Sequence, residues 1–267
     1  MKKILYFMAG CIVFFASCKP DKGLVENTKY EKIAVGDPKY SYLKILNLSP
    51  NSPVVNFYLN GAKFSTKQST TGIENAGYTY NQVFPDFGYA VATPGSQTLT
   101  GKVIPTATAD PSLEVFSATI NPAPGKYYTL VPSGLYDATT KKIPSFVTVE
   151  DTRPALDSTK IFIRLLNVIS GGPSTTLIRG TTVADPKIIS NVGVNTVSDW
   201  AEISSPGGGP TTTLGVLFID AGTNTPIGST VTFTGLTKGR AYTLYIRGIW
   251  GATGTNAPTL SFYTSFY

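Results

Sequence analysis

The side chains that could do covalent or metal chemistry are few. The chain holds no histidine, two cysteines (Cys11 and Cys18) and 16 acidic residues among 267. Without histidine, Ser-His-Asp and Cys-His relays and His-bearing zinc sites are excluded. The glycine run Gly207-Gly208-Gly209-Pro210 leads into three threonines, which suits a hairpin loop rather than a phosphate cradle. Two carboxylates flanking a sugar could hydrolyse it. Glu150-Asp151 is the sole adjacent acidic pair, however, and neighbours on a strand point to opposite faces. Its place at the end of a domain reads as a solvated linker. Calcium at that junction would draw on Glu150, Asp151 and Asp157, but no DxDxD-like run accompanies them. No catalytic residue, metal or cofactor is therefore expected, and a carboxylate-based glycan hydrolase ranks last among the functions. Aromatic residues are the richer signal. Tyr78, Tyr80, Phe84, Phe87 and Tyr89 crowd into GYTYNQVFPDFGY, and Tyr136 and Trp250 each follow a Gly-hydrophobic pair at an expected strand-to-loop exit. Exposed rings give large rigid contact area with a polar edge, suited to sugars or protein partners. Tyr136 and Trp250 are the candidate ligand-binding residues; the other rings read as core.

The elements that must position them begin after an unusual N-terminus. Met1-Lys2-Lys3 is cationic, and ILYFMAGCIVFF at residues 4–15 is an apolar run too short to span a bilayer. This is the layout of a secretory signal peptide. Ala16-Ser17-Cys18 resembles the lipobox of bacterial lipoproteins, with Phe15 in place of the usual leucine. That resemblance implies cleavage after residue 17 and acylation of the Cys18 thiol. Cys11 then leaves with the signal peptide, and no thiol remains for a disulfide or a nucleophile. Several acyl chains would make a firm anchor where one would not. Residues 18–39, rich in lysine and carboxylate and poor in large apolar residues, read as a disordered lipidated tether. Such a tether spans roughly 25 Å r.m.s.. The expected location is the cell envelope, lipid-anchored to the outer membrane, on its periplasmic or its surface face.

The formal charge is +6, of which Lys2 and Lys3 carry two. No Lys/Arg stripe is visible, so nucleic acid is not an expected partner. Charged residues make up 14%, while Thr, Ser, Gly, Pro and Tyr abound, the composition of short strands joined by Gly/Pro turns. Val55, Phe57 and Leu59 alternate with polar or amphipathic neighbours, as do Val231 and Phe233 with threonines, which predicts half-buried strands.

An internal repeat organises the rest. KILNL at residues 44–48 is echoed by RLLNV at 164–168, 120 positions on, and Pro53 by Pro173. GKYYTL at 125–130 matches GRAYTL at 239–244 with an offset of 114, which then persists: Gly134 meets Gly248, Tyr136 meets Trp250, Pro144 meets Pro258. Tyr89 with Pro94-Gly95 parallels Trp200 with Pro206-Gly207. Offsets that hold over long runs and shift between them indicate duplication with loop indels. The expected division is signal peptide 1–17, tether 18–39, first sandwich 40–151, linker 152–157 and second sandwich 158–267. Each copy has the size of an immunoglobulin-like sandwich. Leu236, Gly239 and Tyr242, with Gly125 and Tyr128 in the first copy, suggest a tyrosine corner, so both tyrosines read as structural. The expected fold is all-β, two tandem immunoglobulin-like β-sandwich domains.

KILNLSPNSPVVNFYLNG, the aromatic before Pro94-Gly95 and the GKYYTL strand together resemble the bacterial domain-of-unknown-function family numbered 4397. The second copy keeps Pro173 but has Arg179-Gly180 where the first has Asn60-Gly61. The resemblance implies an envelope lipoprotein or secreted β-domain and supplies no catalytic residues. The expectation is thus a non-enzymatic, lipid-anchored envelope protein that binds or displays, with a glycan or an envelope protein as partner. The alternative is a structural or assembly subunit of an outer-membrane or surface-polymer complex.

Overall fold

The structure, a computed structural model, describes residues 33–66, 74, 76–155, 157–204 and 210–266. The signal peptide, Cys18, most of the tether and the Gly207–Gly209 run lie outside the described residues.

The first half contains β1 (Ser41–Asn47), β2 (Val55–Leu59), β3 (Ala62–Lys63), β4 (Gln82–Phe84), β5 (Ala90–Ala92), β6 (Gln97–Val103), β7 (Glu114–Ile120), β8 (Tyr127–Ser133) and β9 (Ser145–Glu150). One sheet runs β4/β5-β1-β8-β9 and the other β3-β2-β6-β7. The second half repeats this with β10 (Lys160–Asn167), β11 (Thr175–Arg179), β12 (Lys187–Val192), β13 (Thr196–Val197), β14 (Ala201–Ser204), β15 (Thr211–Asp220), β16 (Val231–Thr237), β17 (Ala241–Arg247) and β18 (Thr259–Phe266). Its sheets are β13/β14-β10-β17-β18 and β12-β11-β15-β16. The chain is all-β and forms two β-sandwiches. Leu43 lies opposite Tyr128 and Ile163 opposite Tyr242, so the offsets of the repeat are those of equivalent strands.

The strand distribution is the chain's own. In a constant-type immunoglobulin domain the first strand pairs with the second. Here β1 sits mid-sheet, parallel to β8 and antiparallel to β4 and β5, while β2 begins the opposite sheet. The asparagine of KILNL and RLLNV explains how the chain leaves the central strand. Asn167 donates through Nδ2 to Pro173 O and Val192 O, both at 3.0 Å, and accepts from Ile169 N–H through Oδ1. Asn47 does the same work in the first copy, donating to Ser52 Oγ and Tyr78 O and accepting from Ser49 N–H. A buried amide thus satisfies turn groups that would otherwise be orphaned. The tyrosine corner is also present: Thr237 N–H donates to the Tyr242 hydroxyl at 2.8 Å and Ala123 N–H to that of Tyr128 at 3.2 Å.

Each sandwich has its own core, one around Leu43, Ile45, Phe57 and Leu130, the other around Ile161, Ile163, Phe218 and Leu244. A third apolar cluster joins the two. Leu46, Leu48, Val131, Val147 and Val149 of the first sandwich meet Leu166, Val168, Tyr245 and Tyr263 of the second. These residues alternate with the core residues along the same strands, so the two central sheets pack against each other through their outer faces. All seven residues of β1 are buried in consequence, and β10 is buried from Ile161 to Asn167. Strands covered on both sides read as continuous apolar runs rather than alternating ones. The protein is a four-sheet stack in which duplicated sheets face each other.

Candidate functional site

Equivalent central strands run the same way through the stack, which therefore has two ends with different chemistry. At the end where β1, β8, β10 and β17 begin, a polar network is closed within the protein. Asp151 is buried and ion-paired with Arg164. Thr129 and Tyr89 donate hydroxyl hydrogen bonds to its Oδ2 at 2.6 and 3.0 Å. Arg164 also donates from Nε to Thr243 Oγ1 at 2.9 Å, and its guanidinium lies 4.5 Å from the Trp200 ring centroid. Burial pushes the Asp151 carboxyl above the usual range, opposed by Arg164 and the two hydroxyls. This corrects the reading of Glu150-Asp151 as a solvated linker: Glu150 is exposed and pairs with Lys126, while Asp151 stitches the sandwiches together. Asp157 pairs with Lys160. The three junction carboxylates thus serve three different cations, and among the described residues no group of acidic, histidine or cysteine side chains converges for a metal.

The repeat's other charge, Lys44, is equivalent to Arg164. It is buried, donates from Nζ to Pro85 O at 3.2 Å and lies over the rings of Tyr89 and Tyr263 at 5.2 and 5.7 Å. Tyr89 and Trp200 each cover the cation of their own copy, which is why that aromatic position was matched between the repeats.

The end where those strands finish is open. Trp250 is 43% exposed and Leu135 40% exposed, and their backbone N–H groups donate to Ser170 O and Ser170 Oγ, both at 3.0 Å. Tyr136 holds the place equivalent to Trp250, its N–H donating to Pro50 O, but its ring is half-buried against the first core. The two candidate residues therefore share one end of the stack, and Trp250 is the one that offers a surface. The crowded aromatics of residues 77–89 disperse. Tyr78 and Phe84 are core, Phe87 is 81% exposed, and Tyr89 belongs to the opposite end.

Tyr80 lines a cleft of about 530 Å³ between the sandwiches at the Trp250 end. Its wall on the second sandwich carries Arg247, Ser229, Thr255 and Thr259. The Arg247 guanidinium lies 5.2 Å from the Tyr80 ring centroid, donates from an Nη to the Tyr80 hydroxyl at 3.3 Å and from Nε to Ser261 Oγ at 3.3 Å. Asn81 accepts from the Tyr245 hydroxyl at 3.1 Å, leaving its amide N–H groups directed elsewhere. A second, smaller cleft of about 230 Å³ contains Gly134, Ser145, Val194 and Asn195. Sequence reasoning missed Arg247. The signal that could have found it is a mismatch inside a matched run: Arg247 stands where the first copy has Ser133.

Comparisons with known proteins bear on the family. The model of the family described as Domain of unknown function (DUF4397) matches residues 41–178, the first sandwich and the opening strands of the second. A comparison with curated proteins finds no match. Among solved structures the chain is similar to CBMbc (family CBM26) from Eubacterium rectale Amy13K in complex with maltoheptaose. Identity is 12%, coverage 85% of this chain and 100% of that one, and the TM-score 0.25. It is also similar to a streptococcal virulence factor described by its alpha-glucan binding, at 12% identity, 77% and 92% coverage and a TM-score of 0.24.

Proposed function

The chain belongs to the DUF4397 family, which supplies no catalytic residues to carry over, and we propose that it is a non-enzymatic binding module held on the cell envelope by a lipidated Cys18. The observation that carries this reading is the placement of its two ends. The chain enters the first sandwich through residues 36–40, ahead of β1, while Trp250, Leu135 and the larger cleft lie past the ends of β8 and β17. Seven residues of central strand separate the two ends, roughly 23 Å at strand rise. A tether attached at the near end leaves the aromatic rim and cleft at the end of the folded body opposite its attachment point. At the near end Asp151, Arg164, Thr129 and Tyr89 are taken up by one hydrogen-bonded network. The far end offers an exposed indole, an aromatic-walled cleft and neutral hydroxyl and amide groups, the equipment for holding a glycan. The weak likenesses to glycan-binding structures add nothing to this argument.

Two expected results test it. Radiolabelled palmitate fed to cells should label the chain, and Cys18→Ala should remove both the label and the protein from the membrane fraction; a labelled variant, or an unlabelled parent, sinks the anchor. On an array of envelope and host glycans the full chain should bind a subset. Trp250→Ala should weaken that binding at least tenfold, as central aromatic truncations do, with the urea midpoint unchanged because the indole is half in solvent. Undiminished binding by the variant would move the site elsewhere.

A further inference from the structure

The two clefts share four equivalent positions, Tyr80 with Val194, Asn81 with Asn195, Pro258 with Pro144 and Thr259 with Ser145. Asn81 and Asn195 occupy the same place: each has a left-handed backbone, with φ of 67° and 60°, and each donates its N–H to the carbonyl of the repeat's asparagine, Asn47 or Asn167, at 2.7 Å. Pro144 and Ser145 in the smaller cleft answer to Pro258 and Thr259 in the larger. On that alignment Tyr80 faces Val194, and Arg247 faces Ser133 next to Gly134. The smaller cleft is therefore neutral, lined by aliphatic and backbone groups with the Ser145, Ser170 and Asn195 side chains among them. Its twin carries a tyrosine and an arginine in contact.

That arginine has an unusual environment. Its partners are neutral, Ser261 and Tyr80, and among the described residues no carboxylate lies within ion-pairing distance. A guanidinium presents five donors in a rigid fork. Two are used here, and the tyrosine face holds the plane in place. None of the residues lining the cleft is acidic, and several carry neutral donors: Asn81, Ser229, Thr255 and Thr259. A cation without a counter-charge, backed by a ring and surrounded by hydroxyls, matches a ligand that is hydroxyl-rich and bears an oxyanion. The volume is that of a small-ligand site.

We propose that the cleft between Tyr80 and Arg247 binds an anionic saccharide, with Arg247 taking the oxyanion and Tyr80, Asn81 and Thr255 taking the ring. This rests on the binding-module reading above and names its ligand class. Arg247 then acts as a selector, and the smaller twin, with Val194 and Ser133 in its place, takes no such ligand.

Titration calorimetry of the full chain with three disaccharides of one linkage tests it: a di-uronic acid, a sulfate ester and the neutral parent. The uronate or the sulfate ester should bind at least tenfold more tightly than the neutral sugar, and the arm that does so identifies the oxyanion. The preference should shrink between 50 and 500 mM salt, as a partly exposed charge contact does. Arg247→Gln should reduce it to about twofold or less while keeping the urea midpoint of the parent; Tyr80→Phe, which keeps the stacked ring, should retain it. Equal binding of acidic and neutral sugars overturns the selector and leaves the glycan module standing. An acid preference that survives in Arg247→Gln overturns the assignment of the site. Binding of none of the three overturns the inference, and the Trp250→Ala array result then decides the broader reading by itself.

Discussion

Arg164→Ala should cost the whole chain about 3–5 kcal/mol of unfolding free energy at pH 7, the loss expected when one partner of a buried ion pair is removed. The reason is what remains. Asp151 is buried with Thr129 and Tyr89 as its other donors, and without the guanidinium its charge loses its ion pair and keeps only the longer-range pull of Lys44, in a space closed by both sandwiches. Its carboxyl is already pushed upward by burial, and the variant pushes it further. A carboxyl with a folded pKa above its unfolded one binds more protons when folded, so the variant's deficit should narrow as pH falls from 7 toward 5. Arg164→Met combined with Asp151→Leu should recover most of the loss, because a matched apolar pair pays no desolvation. Urea melts of the three variants at pH 7 and pH 5 measure this. A single-variant loss below about 1 kcal/mol would mean that water reaches Asp151 and that the network is not closed.

The second large effect has the opposite sign. Burial pushes the Lys44 ammonium down to about 8 from 10.5, against the pull of Asp151 and Asp86. Between those values the unfolded chain holds a proton that the folded chain has released, so stability rises with pH across the window. Below pH 8 the folded state carries the full penalty, about 3 kcal/mol at 1.36 kcal/mol per unit. Lys44→Met keeps the unbranched stem and discards the charge. It should be more stable than the parent at pH 7 by up to about 3 kcal/mol, with the advantage shrinking from pH 8 upward as the parent's lysine deprotonates. Urea midpoints for both chains at pH 7, 8.5 and 10 give the difference curve. Parallel curves would show that the ammonium is hydrated.

Lys44 and Arg164 also mark what the sequence did and did not disclose. The strands, the duplication and the tyrosine corner were legible because they depend on local pattern: alternation at Val55 to Leu59, a glycine three residues before Tyr242, offsets that repeat. The face-to-face packing was not. A second covered face depends on a surface some 120 residues away, and the local sign of it is subtle: a central strand that is apolar without alternating, with one cation at the same place in each copy. Asp151 was misread for the same reason. It follows an exposed Glu150 at a strand end, and nothing nearby in sequence says that Arg164 will reach it. Of the two aromatic candidates, position alone put both at one end, but core packing decided that Trp250 is presented and Tyr136 half withdrawn. The cleft lies between copies, so no window of either copy contains it.

The paired central sheets have one more consequence. Two identical sandwiches meeting through such faces would form a two-fold dimer, in which every residue occurs twice and any change at one cleft is imposed on the other. Joining the copies in a single chain lifts that constraint. Position 247 is arginine where position 133 is serine, and position 80 is tyrosine where position 194 is valine, without the other copy having to tolerate the same residue. Fusion thereby lets one half of a symmetric assembly specialise while the other keeps it standing.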